Sequence, residues 1–473
     1  MRVASAPGRR PPAGRVTAIG GRFLVALIAA GALCWPMAGR AQQGPAPQPQ
    51  AGGIAPDQGG QEDWAVHGQA TTVWLLQPAF PSPYQGPQSL SPPANGRETF
   101  DTTAYIGVRP WLGAELWFNP EIDQGFGLSN SFGAAGYVSG EAYKVGAQDP
   151  YFEIQRLFLR QTIDLGGDSQ KLDPAINQLG GSQTANRLVI TAGKISVVDI
   201  FDNNEYAHDP RNDFLNWSVI DQGSFDYAAN PWGFTYGAAA EWYQDWWTIR
   251  SGLFNLTTVP NGKNVDDRIL AQFQSDTELE ARYSLWGQPG KLRLLYWLDR
   301  GNLGLYDEAV ALGEATRSVP STYNVLDYRS KDGVALNIEQ QITDNVGMFL
   351  RTGASQGSVA EQAFTDINQS LSAGVSLGGA RWGRPDDTVG SAFAINEISR
   401  AGKQYLAAGG LGGIIGDGQL PHAGPEQIFE SYYSVAILKY AHFAIDYQLI
   451  NHPAYNRDRG PVSVFGLKLH VQL

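Results

Sequence analysis

Between Gly193 and Gly237 the chain reads GKISVVDIFDNNEYAHDPRNDFLNWSVIDQGSFDYAANPWGFTYG. Seven acids (Asp199, Asp202, Glu205, Asp209, Asp213, Asp221, Asp226) alternate there with aromatics, one arginine (Arg211) and one histidine (His208). Oxygen ligands crowded in this way can hold a hard cation. The spacing of Asp199, Asp202, Glu205, His208 and Asp209 matches no known cation loop, however, and the same acids can pair with Arg211 or cap turns. The expectation is therefore no metal and no cofactor. Acid–base or nucleophilic catalysis would need a placed serine, cysteine or histidine partner set, and no such order is found. His67, His422, His442, His452 and His470 are scattered without a pattern. The reading is that of a non-enzyme. Rings and fixed charges together suit weak, reversible contact with polar solutes, and a long aromatic-rich loop is usually a functional one. What it does depends on the elements that hold it.

Composition narrows those elements. In 473 residues, charged side chains make up only 17%, aromatics 11%, and glycine numbers 56, which favours short strands over helices. The one cysteine is Cys34, so the chain after it has no disulfide or thiolate chemistry. Arg2, Arg9, Arg10, Arg15 and Arg22 precede an apolar run, Phe23 to Leu33, and a small-x-small site at Gly39-Arg40-Ala41. Residues 1–41 read as a cleaved signal peptide, because the apolar run is too short to span a bilayer. Residues 42–62 are rich in Gln, Pro and Gly and read as a disordered leader. Beyond residue 41 there are 28 bases against 46 acids, which argues against nucleic-acid binding.

From Trp64 onward the pattern has period two. Strands are expected at 64–76, 100–109, 111–119, 152–165, 187–195, 232–243, 246–255, 276–286, 291–299, 332–342, 346–355, 367–377, 388–398, 428–438, 442–449 and 462–473. The prolines, among them Pro120, Pro150 and Pro289, are expected between strands. Short connections (at Pro110, 244–245, 287–290, 343–345, 439–441) alternate with long ones (77–99, 120–151, 196–231, 256–275, 299–331, 399–427). Segment 166–186 breaks the alternation and is expected to contain a small helix around Pro174–Leu179. Aromatics near strand ends (Trp111, Trp117, Trp242, Tyr243, Trp246, Trp247, Trp286, Trp297, Tyr432, Tyr433) suit girdles at a membrane boundary. The fold class is all-β: over 63–473, a transmembrane antiparallel barrel of about 16 strands, porin-like, with long extracellular loops and short periplasmic turns. Mean hydropathy is negative, as in such barrels, where only alternate residues meet lipid.

Residues 193–217 with QGSFDYAANPWGFTYGAAAE (222–241), the closing NHPAYNRDRGPVSVFGLKLHVQL (451–473), IDYQ (445–448) and HGQATTVWLLQPAFPSPYQGPQSL (67–90) resemble the OprB-type carbohydrate-selective porins of Gram-negative outer membranes. One departure is Leu473, where barrel-assembly signals commonly end in an aromatic. The resemblance implies a sixteen-stranded porin passing small sugars by passive diffusion. Partners would be those sugars, outer-membrane lipid and lipopolysaccharide and the barrel-assembly machinery, with a monomer or homotrimer both open. A polysaccharide-export pore and a general diffusion porin are the rival functions. In either case the stretch 196–231 is the third long loop. Folded into the lumen, its acids Asp199, Asp202, Glu205 and Asp209, with Arg211 and Trp217, would face wall arginines. Arg156, Arg160 and Arg250 are the first candidates, then Arg282, Arg293 and Arg351. Opposed charges would set a transverse field across a constriction.

Overall fold

A computed structural model describes residues 60–268, 270–363 and 365–473. The expected signal peptide, 1–41, and the leader as far as residue 59 lie outside the described residues. Sixteen strands form one closed antiparallel barrel. In chain order they are β1 (Trp64–Gln77), β2 (Asn95–Val108), β3 (Ala114–Gly125), β4 (Ala147–Leu172), β5 (Gly181–Ile195), β6 (Thr235–Tyr243), β7 (Trp247–Asn255) and β8 (Phe273–Leu285). Then follow β9 (Gln288–Gly304), β10 (Leu326–Thr343), β11 (Val346–Ser355), β12 (Gln369–Gly378), β13 (Thr388–Glu397), β14 (Glu426–Leu438), β15 (Ala441–Asn451) and β16 (Val462–Gln472). Pairing of β1 with β16, Ala70 opposite Val471, closes the ring and leaves no free edge. Every expected strand is present.

Alternation explains the faces. On β1 the side chains of Ala65, His67, Gln69, Thr71 and Val73 are buried inward, while Trp64, Val66, Trp74 and Leu76 stay exposed. The inward face elsewhere is polar (Asp101, Thr103, Glu121, Glu278, Glu280, Asn337), and the outward face is apolar (Ile106, Ile122, Leu279, Leu294, Phe393, Leu467). This inside-out polarity is that of a barrel in lipid around a hydrated interior. Among the described residues no helix is long and apolar enough to cross a membrane. Inward aromatics lie flat over glycines of the neighbouring strand. A Cβ on Gly107 would stand 2.5 Å from the Trp117 ring, and one on Gly333 2.2 Å from Trp297. Glycine there lets a large ring tile the wall.

Three expectations need correction. Pro120, Pro150 and Pro289 lie inside β3, β4 and β9, not between strands. Pro120 stands at a register shift, Pro150 in a stretch of β4 skipped by the β3 ladder, and Pro289 second in its strand. The missing N–H is therefore not asked for. Trp117, Trp297 and Tyr432 are not girdle residues: they point inward and are almost fully buried. Trp111, Trp246 and Trp286, by contrast, are exposed at the short turns. Strand parity assigns a ring to one face or the other only when the register is known. Finally, 166–186 contains no helix, because β4 and β5 continue as a hairpin to Leu172 and Gly181.

The remaining long connections include two that matter for the interior. L2, residues 126–146, follows β3, and L3, residues 196–234, follows β5. L3 carries a four-residue helix, α1 (Trp217–Ile220). The buried aromatic and aliphatic residues of both loops make up much of the core, and Phe201, Phe214, Leu215, Val219 and Phe225 are fully buried.

Candidate functional site

L3 enters the lumen at the end of β5 and is fixed by alternating charge contacts. Ser196 opens a capping box in which Asp199 accepts from the Ser196 N–H at 3.0 Å. The same carboxylate takes a bidentate pair from Arg156, at 2.8 and 2.6 Å. Arg156 is in place because β4 shifts register between its pairings of Asn119 and Pro120. The bulge turns both Gln155 and Arg156 inward, where they bond Glu121 and Asp199. The Arg156 guanidinium also lies 4.9 Å from the Phe234 ring centroid.

Three residues on, Asp202 is fully enclosed. It accepts from Arg351 Nε at 3.2 Å, Asn337 Nδ2 at 2.7 Å and the Gln222 N–H at 2.6 Å. Arg351 spends its other donors on the carbonyls of Val219 (2.9 Å), Asp202 (3.1 Å) and Ala207 (2.8 Å). A planar donor fork suits such a convergence of carbonyls and carboxylate. Asp226 is held similarly by Lys331 at 2.7 Å and by the N–H groups of Gln362 and Ala363. Glu430 of β14 accepts from the N–H groups of Leu215 and Asn216, and Asn216 caps α1 through Ser218.

Arg211 stands on the opposite side of the loop. It faces Asp101 at 3.2 Å, Glu121 at 3.6 Å and Glu141 of L2 at 3.3 Å. Lys468 of β16 donates to the carbonyls of Pro210 and Asp213 at 2.7 and 2.8 Å. Glu205 donates its N–H to Glu339 at 3.0 Å, and its carboxylate is 3.7 Å from Lys291.

The predicted residues thus fall into two groups. The Arg156–Asp199 and Glu205–Lys291 pairs keep water contact, with side chains 16–36% exposed, whereas Arg351 and Asp202 are at 0–1%. Arg160 does not meet L3. It pairs with Glu115 at 3.4 Å and donates to the Asn177 carbonyl at 2.7 Å, both toward the short-turn end. Arg250 pairs with the wall acids Glu241, Glu278 and Glu280 and lies over the Tyr243 ring, not against L3. Trp217 is 4% exposed, stacked on Tyr137 at 5.2 Å and 15°, so it braces L2 against L3 instead of lining a path. Asp199, Asp202, Glu205 and Asp209 turn to different partners and do not converge. Sequence reasoning missed Asp101, Glu121 and Glu141 opposite Arg211, and Lys291 and Lys331. Strand parity could have found the first two, since both share the inward face with Thr103 and Asn119.

Several groups in the loop respond to pH, Asp213 and His208 among them. Burial and then the Asp209 charge push the Asp213 carboxyl up to about 6. For His208 burial alone would lower the value, but the Asp221 carboxylate 3.6 Å away outweighs it and the net direction is up. Raised values mean that both groups stabilise the loop in acid and lose that contribution as pH rises through them. Asp199 and Asp209, also desolvated, are nevertheless held low by Arg156 and Arg211, so their contribution is lost only below the ordinary carboxylate range. Peptides covering 205–215 are therefore expected to exchange amide hydrogens more slowly at pH 5 than at pH 8, after correction for intrinsic rates. Asp213→Asn should shrink that difference; stronger protection at pH 8 would contradict the assignment.

A closed barrel with an apolar belt, a charged interior and a loop drawn into its lumen defines an outer-membrane channel. A family model for carbohydrate-selective porins, the OprB family, matches residues 90–473, and the chain belongs to that family. Its place is the outer membrane of a Gram-negative bacterium, and its solutes are small sugars. The fold is that of the high-pH structure of Pseudomonas putida OprB, with a TM-score of 0.66 at 14% identity, covering 87% of this chain and 94% of that one. The Acinetobacter baumannii outer membrane channel DcaP is similar at a TM-score of 0.49 and 11% identity, over 88% of this chain and 99% of that one. The long loops are accordingly extracellular and the short turns periplasmic.

Proposed function

We propose that sugars cross passively beside L3, along a path bordered by Arg156–Asp199, Glu205–Lys291 and the Arg211 cluster, with no chemical step. The observation that carries this is the division of charges. Buried contacts fix the loop, while the partly exposed Arg156–Asp199 and Glu205–Lys291 pairs, and Arg211 itself, keep donors and acceptors turned to water. Charged groups held in fixed pairs can exchange bonds with hydroxyls without binding a neutral solute tightly. The loop carboxylates are committed to partners, which supports a filter and not a catalyst. The outward apolar stripe suits lipid, and the C-terminal strand suits recognition by the assembly machinery; lipopolysaccharide contact and a monomeric or trimeric state belong to the same proposal.

Liposome swelling with sugars of rising size tests the reading: rates should fall steeply from mono- to trisaccharide. Equal rates for a sugar and a size-matched zwitterion would favour general diffusion. In planar bilayers Arg156→Ala should weaken sugar block of the ion current about tenfold, the worth of one charge-assisted hydrogen bond at roughly 1.5 kcal/mol. Unchanged block would remove Arg156 from the path.

A further inference from the structure

The 166–186 connection has a role that the L3 filter does not absorb. After Asp164, paired with Arg187, the β4–β5 ladder slips twice, around Gly166. Gly166 and Gly167 have φ of +107° and +87°, a backbone that residues with a Cβ rarely adopt. A bulge of this kind bends a hairpin sharply. The hairpin then runs on to a tight turn in which Ala175 and Gln178 exchange N–H···O bonds at 3.1 and 3.0 Å.

The turn does not project into solvent. Asn177 accepts from Asn119 Nδ2 at 2.9 Å through its side chain and from Arg160 Nη1 at 2.7 Å through its carbonyl. Both donors point into the lumen, and Asn119 stands five residues up β3 from its first residue, roughly 16 Å of strand at about 3.3 Å per residue. Leu179 is fully buried, in the same cluster as the inward residues Ala65, Trp117 and Phe158. Gly180 is clamped from the segment before β1: its N–H donates to the Glu62 carboxylate at 2.7 Å, and its carbonyl accepts from the Glu62 N–H at 3.0 Å. Glu62, placed in the expected disordered leader, is thus ordered against the hairpin. Arg109 Nε holds the Glu62 carbonyl at 2.8 Å. Lower on the hairpin, Gln170 meets Arg187 at 3.4 Å.

We infer that residues 173–180 fold back into the periplasmic end of the lumen and form a second constriction, at the exit, rimmed by Arg160 and Asn177, with the buried Asn119 holding Asn177 from behind. The tip occupies cross-section that an ordinary short turn would leave open, and its polar rim offers an amide and a guanidinium to a departing polar solute. Residues of L3 screen at the entrance, and this hairpin limits size at the exit. The sugar as solute rests on the function proposed above; the narrowing itself does not.

The two can be separated. In potassium chloride without sugar, a variant with 166–185 replaced by Asn-Gly should conduct at least ~1.5-fold more than the parent, since the constrictions add as resistances in series. Unchanged conductance overturns the exit constriction. If the shortened barrel does not assemble, Asn177→Cys with Cys34 removed decides: a charged methanethiosulfonate added from the periplasmic side should lower the current, while Ser169→Cys, on the exposed part of the hairpin, should not respond. No effect at position 177 overturns the inference. Sugar block of the parent channel is recorded alongside, and its absence would count against the sugar path alone.

Discussion

Replacing Arg351 with methionine is expected to release L3 and destabilise the barrel by about 3–5 kcal/mol, the usual consequence of removing one partner from a buried ion pair. The guanidinium is fully enclosed and bonds one carboxylate and three carbonyls drawn from Asp202, Ala207 and Val219. Without it Asp202 keeps Asn337 and the Gln222 N–H but no cation, and the carbonyls of Ala207 and Val219 lose this donor. Methionine fills volume and offers no donor, so the loss is electrostatic and not a cavity. The measurable outcome is twofold. The temperature of the heat-modifiable gel shift should fall, and single-channel traces should become noisy with higher mean conductance as the loop leaves the lumen. A quiet channel of parental conductance would show that L3 is held by its aromatic packing alone. Lysine at 351 should recover part of the stability, because a point charge can satisfy Asp202 but not all three carbonyls.

Arg211→Gln is expected to change what the channel passes more than how stable it is. Arg211 is the cation facing Asp101, Glu121 and Glu141 within 3.6 Å. Removing it leaves three carboxyls around one point of the lumen, and such a ring of acids selects cations. The cation-to-anion permeability ratio from reversal potentials in a salt gradient should rise several-fold, and the rise should fade at high ionic strength as the charges are screened. The double variant Arg211→Gln with Glu141→Gln should return part of the way. An unaltered ratio would place the conducting path away from this cluster. Arg351 and Arg211 differ in burial: the first is at 0% exposure among its partners, the second at 16%.

Much of the architecture is legible in the order of residues alone. Leu279, Ala281 and Tyr283 alternating with Glu278, Glu280 and Arg282 give a strand and its two faces, because the pleat has period two and lipid and water sit on opposite sides. The alternation of short and long connections gave the sidedness and made 196–231 the third long loop. Where local reading failed, the cause was register. Trp117 and Trp297 look like girdle residues until pairing with Gly107 and Gly333 turns them inward. The 166–186 segment stands out in the sequence only as a long connection where a short one is expected, and two glycines at positive φ there send the hairpin back into the barrel.

The sequence by itself therefore determined the barrel, its sixteen strands, its polarity and the long loop L3, since each follows from patterns within ten or so neighbouring residues. Only the tertiary structure decided which charges do what. Arg156, Arg160, Arg250 and Arg351 are alike as inward-facing arginines on strands. One meets L3 in water, one meets the exit hairpin, one is absorbed by wall acids, and one is sealed against Asp202, which is 149 positions away in the chain. Closing the ring brings such distant residues together, and burial then separates a staple from a solute contact. Neither effect leaves a local trace in the order of residues.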